Sequence, residues 1–200
     1  EVSASGDLTL NDVTVSNGYF LNELYDGGAI YSYGTLVVDS ATFQDNQSQM
    51  GGAIYSFSGT LTVIDSTLSN NNAGGGLGPG GAVGTAANST AEITNSTFSG
   101  NLGIVGGAIS GDGDLTVTNS VFDSNSAEWG GGGYGGAISY GTPGKTLTIT
   151  GSSFSNNYAD ACGSAIYNYQ GTANIDSSEF RYNWTPSGCG AINGEAGMLD

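Results

Sequence analysis

"LTVTNSVFDSN", residues Leu115 to Asn125, decides how this chain folds. Leu115 and Val117 alternate with threonines, which is the two-residue period of a strand and not the period of a helix. Val, Thr and Phe suit strands, and the intervening Asn, Ser and Asp suit turns. The same spacing returns as Leu36, Val38, Phe43, Asn46 and as Leu61, Val63, Leu68, Asn71. It returns again as Ala91, Ile93, Phe98, Asn101, as Leu147, Ile149, Phe154, Asn157, and as Ala173, Ile175, Phe180, Asn183. The offsets are identical in all six copies. Leu8, Leu10 and Val15 carry the apolar part once more, with Gly18 in the Asn position.

A second phrase lies between the copies. "GGAI" at Gly27 and Gly51 returns as "GGAV" at Gly80, "GGAI" at Gly106 and Gly135, "GSAI" at Gly163 and "CGAI" at Cys189. Successive alanines of the phrase (Ala29, Ala53, Ala82, Ala108, Ala137, Ala165, Ala191) stand 24 to 29 residues apart. Fixed offsets within a motif and variable lengths between motifs mean rigid strands joined by tolerant loops. One copy cannot bury its own apolar side, whereas stacked copies can. The expected fold is therefore all-β. It is a parallel β-helix of about seven coils with roughly three short strands each, forming one domain over residues 1–200 and lacking full end caps. Stacking turns the Leu, Val and Phe positions into interior columns. Asn46, Asn71, Asn101, Asn125, Asn157 and Asn183 are expected to form a structural ladder of side-chain amides. The Gly pair is expected at a corner, where φ turns positive or backbones crowd.

Composition excludes several classes of function. Lys and Arg total 2 against 18 Asp and Glu, a formal charge of -16, which repels nucleic acid and anionic lipid. No stretch has the length and apolarity of a membrane-spanning helix, so direct membrane insertion is not expected. "EVSASGDLTL" has neither a basic start nor an apolar run, and the sequence reads as a mature or excised piece.

The paired "GGAI" and "F-x-x-N" phrases resemble the repeats of the polymorphic outer membrane proteins, first recognised in chlamydial autotransporters. The resemblance runs from about Leu8 to Ile192. It implies a right-handed helix and an exported, often adhesive, surface passenger. The location it implies is extracellular or cell-surface.

Catalysis is not expected. The chain has no His, and its only side-chain cations are Lys145 and Arg181, so the base and the charge-neutralising groups of a polyuronate lyase are missing. No adjacent Asp pair suggests an inverting hydrolase. Asp112 and Asp114 in "GDGDLT" are the candidate ligands for calcium, the one cofactor considered, although Asp and Gly are also ordinary turn residues. Thr60, Thr62, Thr116, Thr118, Thr146, Thr148 and Thr150 flank the inward-facing pairs and form a candidate ligand face for ice, interrupted by Glu92 and Asp114. Tyr31, Tyr33, Tyr55, Tyr140, Tyr167 and Tyr169 follow the Ala-Ile marks and are expected to be exposed, as a glycan or partner surface or as a shield over strand edges. Asn46, Asn88, Asn95 and Asn183 lie in glycosylation sequons, two of them in the ladder. Cys162 and Cys189 fall on successive coils, offset by one position, and are expected to bridge. The expected partners are further copies or coils joined end to end, or a host-surface, glycan or ice ligand.

Overall fold

The computed structural model describes residues 1–20, 27–74, 78–128, 130, 132–195 and 198–199, all strand, bridge, turn or loop. Each coil has three sides. The first is built from two short strands, such as Ile109–Gly111 and Asp114–Thr118, which join one 13-stranded sheet. In two coils these strands fuse, as Ile54–Ile64 and Val83–Thr94. The second side, Val121–Asp123 in the same coil, belongs to a 7-stranded sheet. The third is a two-residue strand, Ser126–Ala127, and isolated bridges carry that side from Gln47 through Asn72 to Leu102. All pairing is parallel and motif sits on motif: Leu8, Leu36, Leu61, Ala91, Leu115, Leu147 and Ala173 are register partners in succession.

The corners explain the turn residues. Between the first and second sides Asp65, Asn95 and Asn119 take φ of 48°, 50° and 49°, with Gly151 at 60° in the same column. Between the second and third sides Asp45, Asn70 and Asn156 lie at 55°, 53° and 55°. Asn, Asp and Gly tolerate this left-handed conformation better than other residues. At the third corner Gly80, Gly106 and Gly135 have φ of 73°, 71° and 68°. The two glycines of "GGAI" therefore serve different needs. The first supplies positive φ. The second, as at Gly81 or Gly107, lies so near the next coil's backbone carbonyl that a Cβ would overlap it.

The inward columns are closed to solvent along the stack. Leu36, Leu61, Val63, Ile93 and Val117 are fully buried. Phe98, Phe122, Phe154 and Phe180 stack nearly parallel with centroids 4.9, 4.8 and 4.8 Å apart. That is the coil repeat, and Leu68 interrupts the stack before Phe43. Phe98, Phe122 and Phe154 are fully buried, which contributes roughly 1.5–3 kcal/mol per ring, and Phe180 is half-buried.

Two polar ladders run beside the apolar columns. In the first, Asn101 Nδ2 donates to the Leu68 carbonyl (2.9 Å) and to Asn125 Oδ1 (2.9 Å). Its own Oδ1 accepts from the backbone N–H and Nδ2 of Asn71 (2.9 and 3.1 Å). Asn46, Asn71, Asn125 and Asn157 repeat the arrangement, and Asn183 closes it with Oδ1 accepting from Asn157. Gly18, which has no amide side chain to offer, instead donates its N–H to Asn46 Oδ1 (2.9 Å). The second ladder was not anticipated from the sequence. Ser66, Ser96, Ser120, Ser152 and Ser178 each accept a backbone N–H from the preceding coil and donate to the carbonyl two residues back.

Candidate functional site

The outward side chains divide into a threonine-bearing half and an aromatic half of the long side. On the threonine half, Thr116 pairs with Thr148 and Thr118 with Thr150. Thr60 pairs with Thr90, but Thr62 faces Glu92. Beyond the block of four, Thr148 meets Asn174 and Thr150 meets Asp176, while Thr146 meets Thr172. The block two residues wide is thus two coils deep, while single threonine columns reach three coils, as Thr94, Thr118, Thr150 and as Thr35, Thr60, Thr90.

The aromatic half follows the Gly corner. Its central outward column runs Tyr31, Tyr55, Gly84, Ser110, Ser139, Tyr167 in register. Small residues in the middle leave a depression between tyrosines at either end. Tyr31 stacks on Tyr55 (5.7 Å) and meets Tyr33 edge to face (4.8 Å). At the other end Tyr134 packs on Tyr167 (4.7 Å). The expected exposure of these rings needs correction. Tyr55, Tyr140 and Tyr167 are buried, Tyr31 and Tyr33 are half-buried, and only Tyr169, at 46%, is exposed. Tyr140 points inward because it stands three residues after Ala137, whereas Tyr31, Tyr55 and Tyr167 stand two after their alanines. Its ring fills space left by Gly111 and Gly171, and its hydroxyl has no hydrogen-bond partner among the described residues. Burial pushes the Tyr140 hydroxyl well above its ordinary pKa, helped by the charges of Asp114 and Asp112.

A cleft of about 280 Å³ opens in this depression. Met50, Pro79 and Val105 give its lining apolar surface, and Tyr55, Gly84, Thr85, Ser110 and Asp112 complete it. Gly84 is held small by Tyr55, whose ring lies where a Cβ would go. Asp112 accepts a hydrogen bond from the Thr142 hydroxyl (3.3 Å). Partial burial holds its carboxyl above the usual range, an effect the Thr142 bond only partly offsets.

The two aspartates proposed for calcium differ in environment. Asp114 accepts from the Thr146 backbone (2.9 Å) and pairs with Lys145 Nζ (3.1 Å). Those bonds, the backbone one first, hold its carboxyl below the usual range. A calcium ion would have to displace an ammonium there. Among the described residues no three His, Cys, Asp or Glu side chains gather as a metal cluster. Arg181 pairs with Glu179 on the second side, so the two cations do not share a site.

The remaining positions fall as follows. Cys162 and Cys189 are joined by a disulfide between successive coils, with Cα atoms 5.0 Å apart. Among the sequons, Asn46 and Asn183 spend their amides in the ladder. Asn88 and Asn95 are exposed, the former at a bulge and the latter at a corner.

With this geometry in view, comparison with known proteins gives one result. The family described as "Right handed beta helix region" matches residues 1–184, and the chain belongs to it. That supplies the handedness. No curated protein and no solved structure matches the chain.

Proposed function

We propose that the chain is a non-catalytic β-helical segment of an extracellular or cell-surface protein, a stiff spacer that displays a binding face for adhesion. The paired "GGAI" and "F-x-x-N" phrases support a kinship with the polymorphic outer-membrane type within the wider β-helix family. The observation that carries the reading is the spending of both cations. Lys145 neutralises Asp114 and Arg181 neutralises Glu179, so neither stands over a cleft where it would abstract a proton or hold an anionic substrate. The interdigitated ladders make the stack rigid, and the same in-register pairing would let copies or further coils join end to end.

Surface labelling of intact cells expressing the full gene tests display, and incubation with a polysaccharide panel tests catalysis. Labelling without new reducing ends is expected; bond cleavage would end the reading. Light scattering across concentration and salt tests end-to-end association, which a strict monomer under all conditions would refute. The block formed by Thr116, Thr118, Thr148 and Thr150 favours ice as the second ligand reading. Unchanged ice recrystallisation in its presence would remove that reading.

A further inference from the structure

The cleft beside Asp112 holds a charge that the chain itself does not neutralise. Only two side-chain cations exist, and Lys145 and Arg181 are both engaged with other carboxylates. Among the described residues Asp112 has instead one hydroxyl, that of Thr142. Asp112 is an exposed carboxylate at the edge of the cleft, with no ion-pair partner among the described residues, and is therefore open to an incoming cation. Met50, Pro79 and Val105 give the lining its apolar surface, and Tyr55 supplies an aromatic ring. The space, about 280 Å³, suits one long side chain and is too small for an oligosaccharide. Outside it, a net charge of -16 attracts basic partners and repels acidic ones.

We propose that this cleft receives an arginine or lysine side chain of a basic partner protein, its apolar stem lying along Met50, Pro79 and Val105 and its cationic tip pairing with Asp112. The chemistry is complementary at both ends. The methylene stem of such a residue covers apolar surface while its head keeps polar contacts. A guanidinium offers several donors in a fixed plane, enough to bridge the carboxylate and the Ser110 hydroxyl. The ring of Tyr55 adds attraction for a cation. A neutral hexose would instead want several fixed polar partners around its rim, where the lining offers one carboxylate and two hydroxyls, those of Ser110 and Thr85. This inference rests on the reading of the segment as a displayed binding surface and names what that surface takes.

The probe is acetyl-arginine methylamide, titrated into the intact, isotopically labelled chain and followed by NMR. Its uncharged isostere acetyl-citrulline methylamide and methyl β-glucoside run in parallel. Shifts confined to Tyr55, Gly84, Ser110 and Asp112 are expected, with citrulline binding about tenfold more weakly. Asp112→Asn should weaken the arginine probe by about tenfold. Asp65→Asn, the same charge change at a distant exposed corner, should leave it within twofold. Equal losses in the two variants, or shifts spread over the acidic surface, would reduce the effect to bulk charge and overturn the proposal. Preferential occupancy of the cleft by the glucoside would overturn it as well. Surface labelling of cells carrying Asp112→Asn keeps the two readings apart. Display with lost binding supports the cleft, whereas lost display in the unsubstituted protein defeats the surface reading alone.

Discussion

The corner occupied by the Asn ladder and the aromatic half of the long side belong to the same coils, yet they treat substitution in opposite ways. At the corner the same residue recurs on six coils, because each amide completes the bonds of the coils on both sides. On the aromatic half the register partners change from Tyr55 to Gly84 to Ser110 to Ser139 to Tyr167 without disturbing the backbone pairing. A buried polar group must match its neighbours above and below, whereas an outward one answers only to what covers it. The difference separates what holds this protein together from what it presents.

The contrast sharpens under mutation. Asn101→Ala removes four hydrogen bonds and strands buried groups on both flanking coils, so a loss of about 5 kcal/mol is expected from urea unfolding. Phe122→Ala opens a cavity between two stacked rings and should cost about 4 kcal/mol in the same assay. Ser120→Ala leaves the Ser96 N–H without its acceptor and should cost about 1–2 kcal/mol. Thr116→Ala, on the outward threonine half, should change stability by less than about 0.5 kcal/mol. An outward change as costly as Ser120→Ala would break the comparison.

Two carboxyls refine it further. The Ser155 hydroxyl, with Asn156 and Ser124, holds Asp123 below its ordinary pKa of 3.8. Its stabilising contribution is present above that value and is lost as pH falls through the lower folded one. Asp112 behaves oppositely. Burial raises it, so its ionisation opposes folding above the raised folded value, and that cost vanishes below 3.8. Carboxyl-carbon NMR titration should therefore give midpoints on either side of 3.8. Asp112→Asn should be neutral or slightly stabilising at pH 7, where Asp123→Asn is slightly destabilising. Midpoints in the reverse order would show that the cleft does not desolvate Asp112.

Several further structural features are legible in the residues. Serine stands two positions before the aromatic or Leu68 in five of the six copies, with Ala41 in the sixth. That column carried the signal of the second ladder. The residue before it is Asp, Asn, Ser or Gly in every copy, which marks the left-handed corner. Parity alone separates Tyr140, three after its alanine, from Tyr167, two after its own. The cleft was not legible in this way. Met50, Pro79, Gly84, Ser110 and Asp112 come from three coils, and no spacing rule links them.

The sequence by itself determined the stack, its interior columns, the Asn ladder and the corners, because these repeat at fixed local offsets and each copy restates the same constraint. It also placed the two cysteines on successive coils. Only the tertiary structure decided that outward Tyr55 and Tyr167 are buried, that Lys145 reaches Asp114 while Asp112 is left with Thr142, and that small residues between aromatic ends leave a cleft. Those outcomes depend on which side chain each coil lays over the next. That choice is not repeated along the chain.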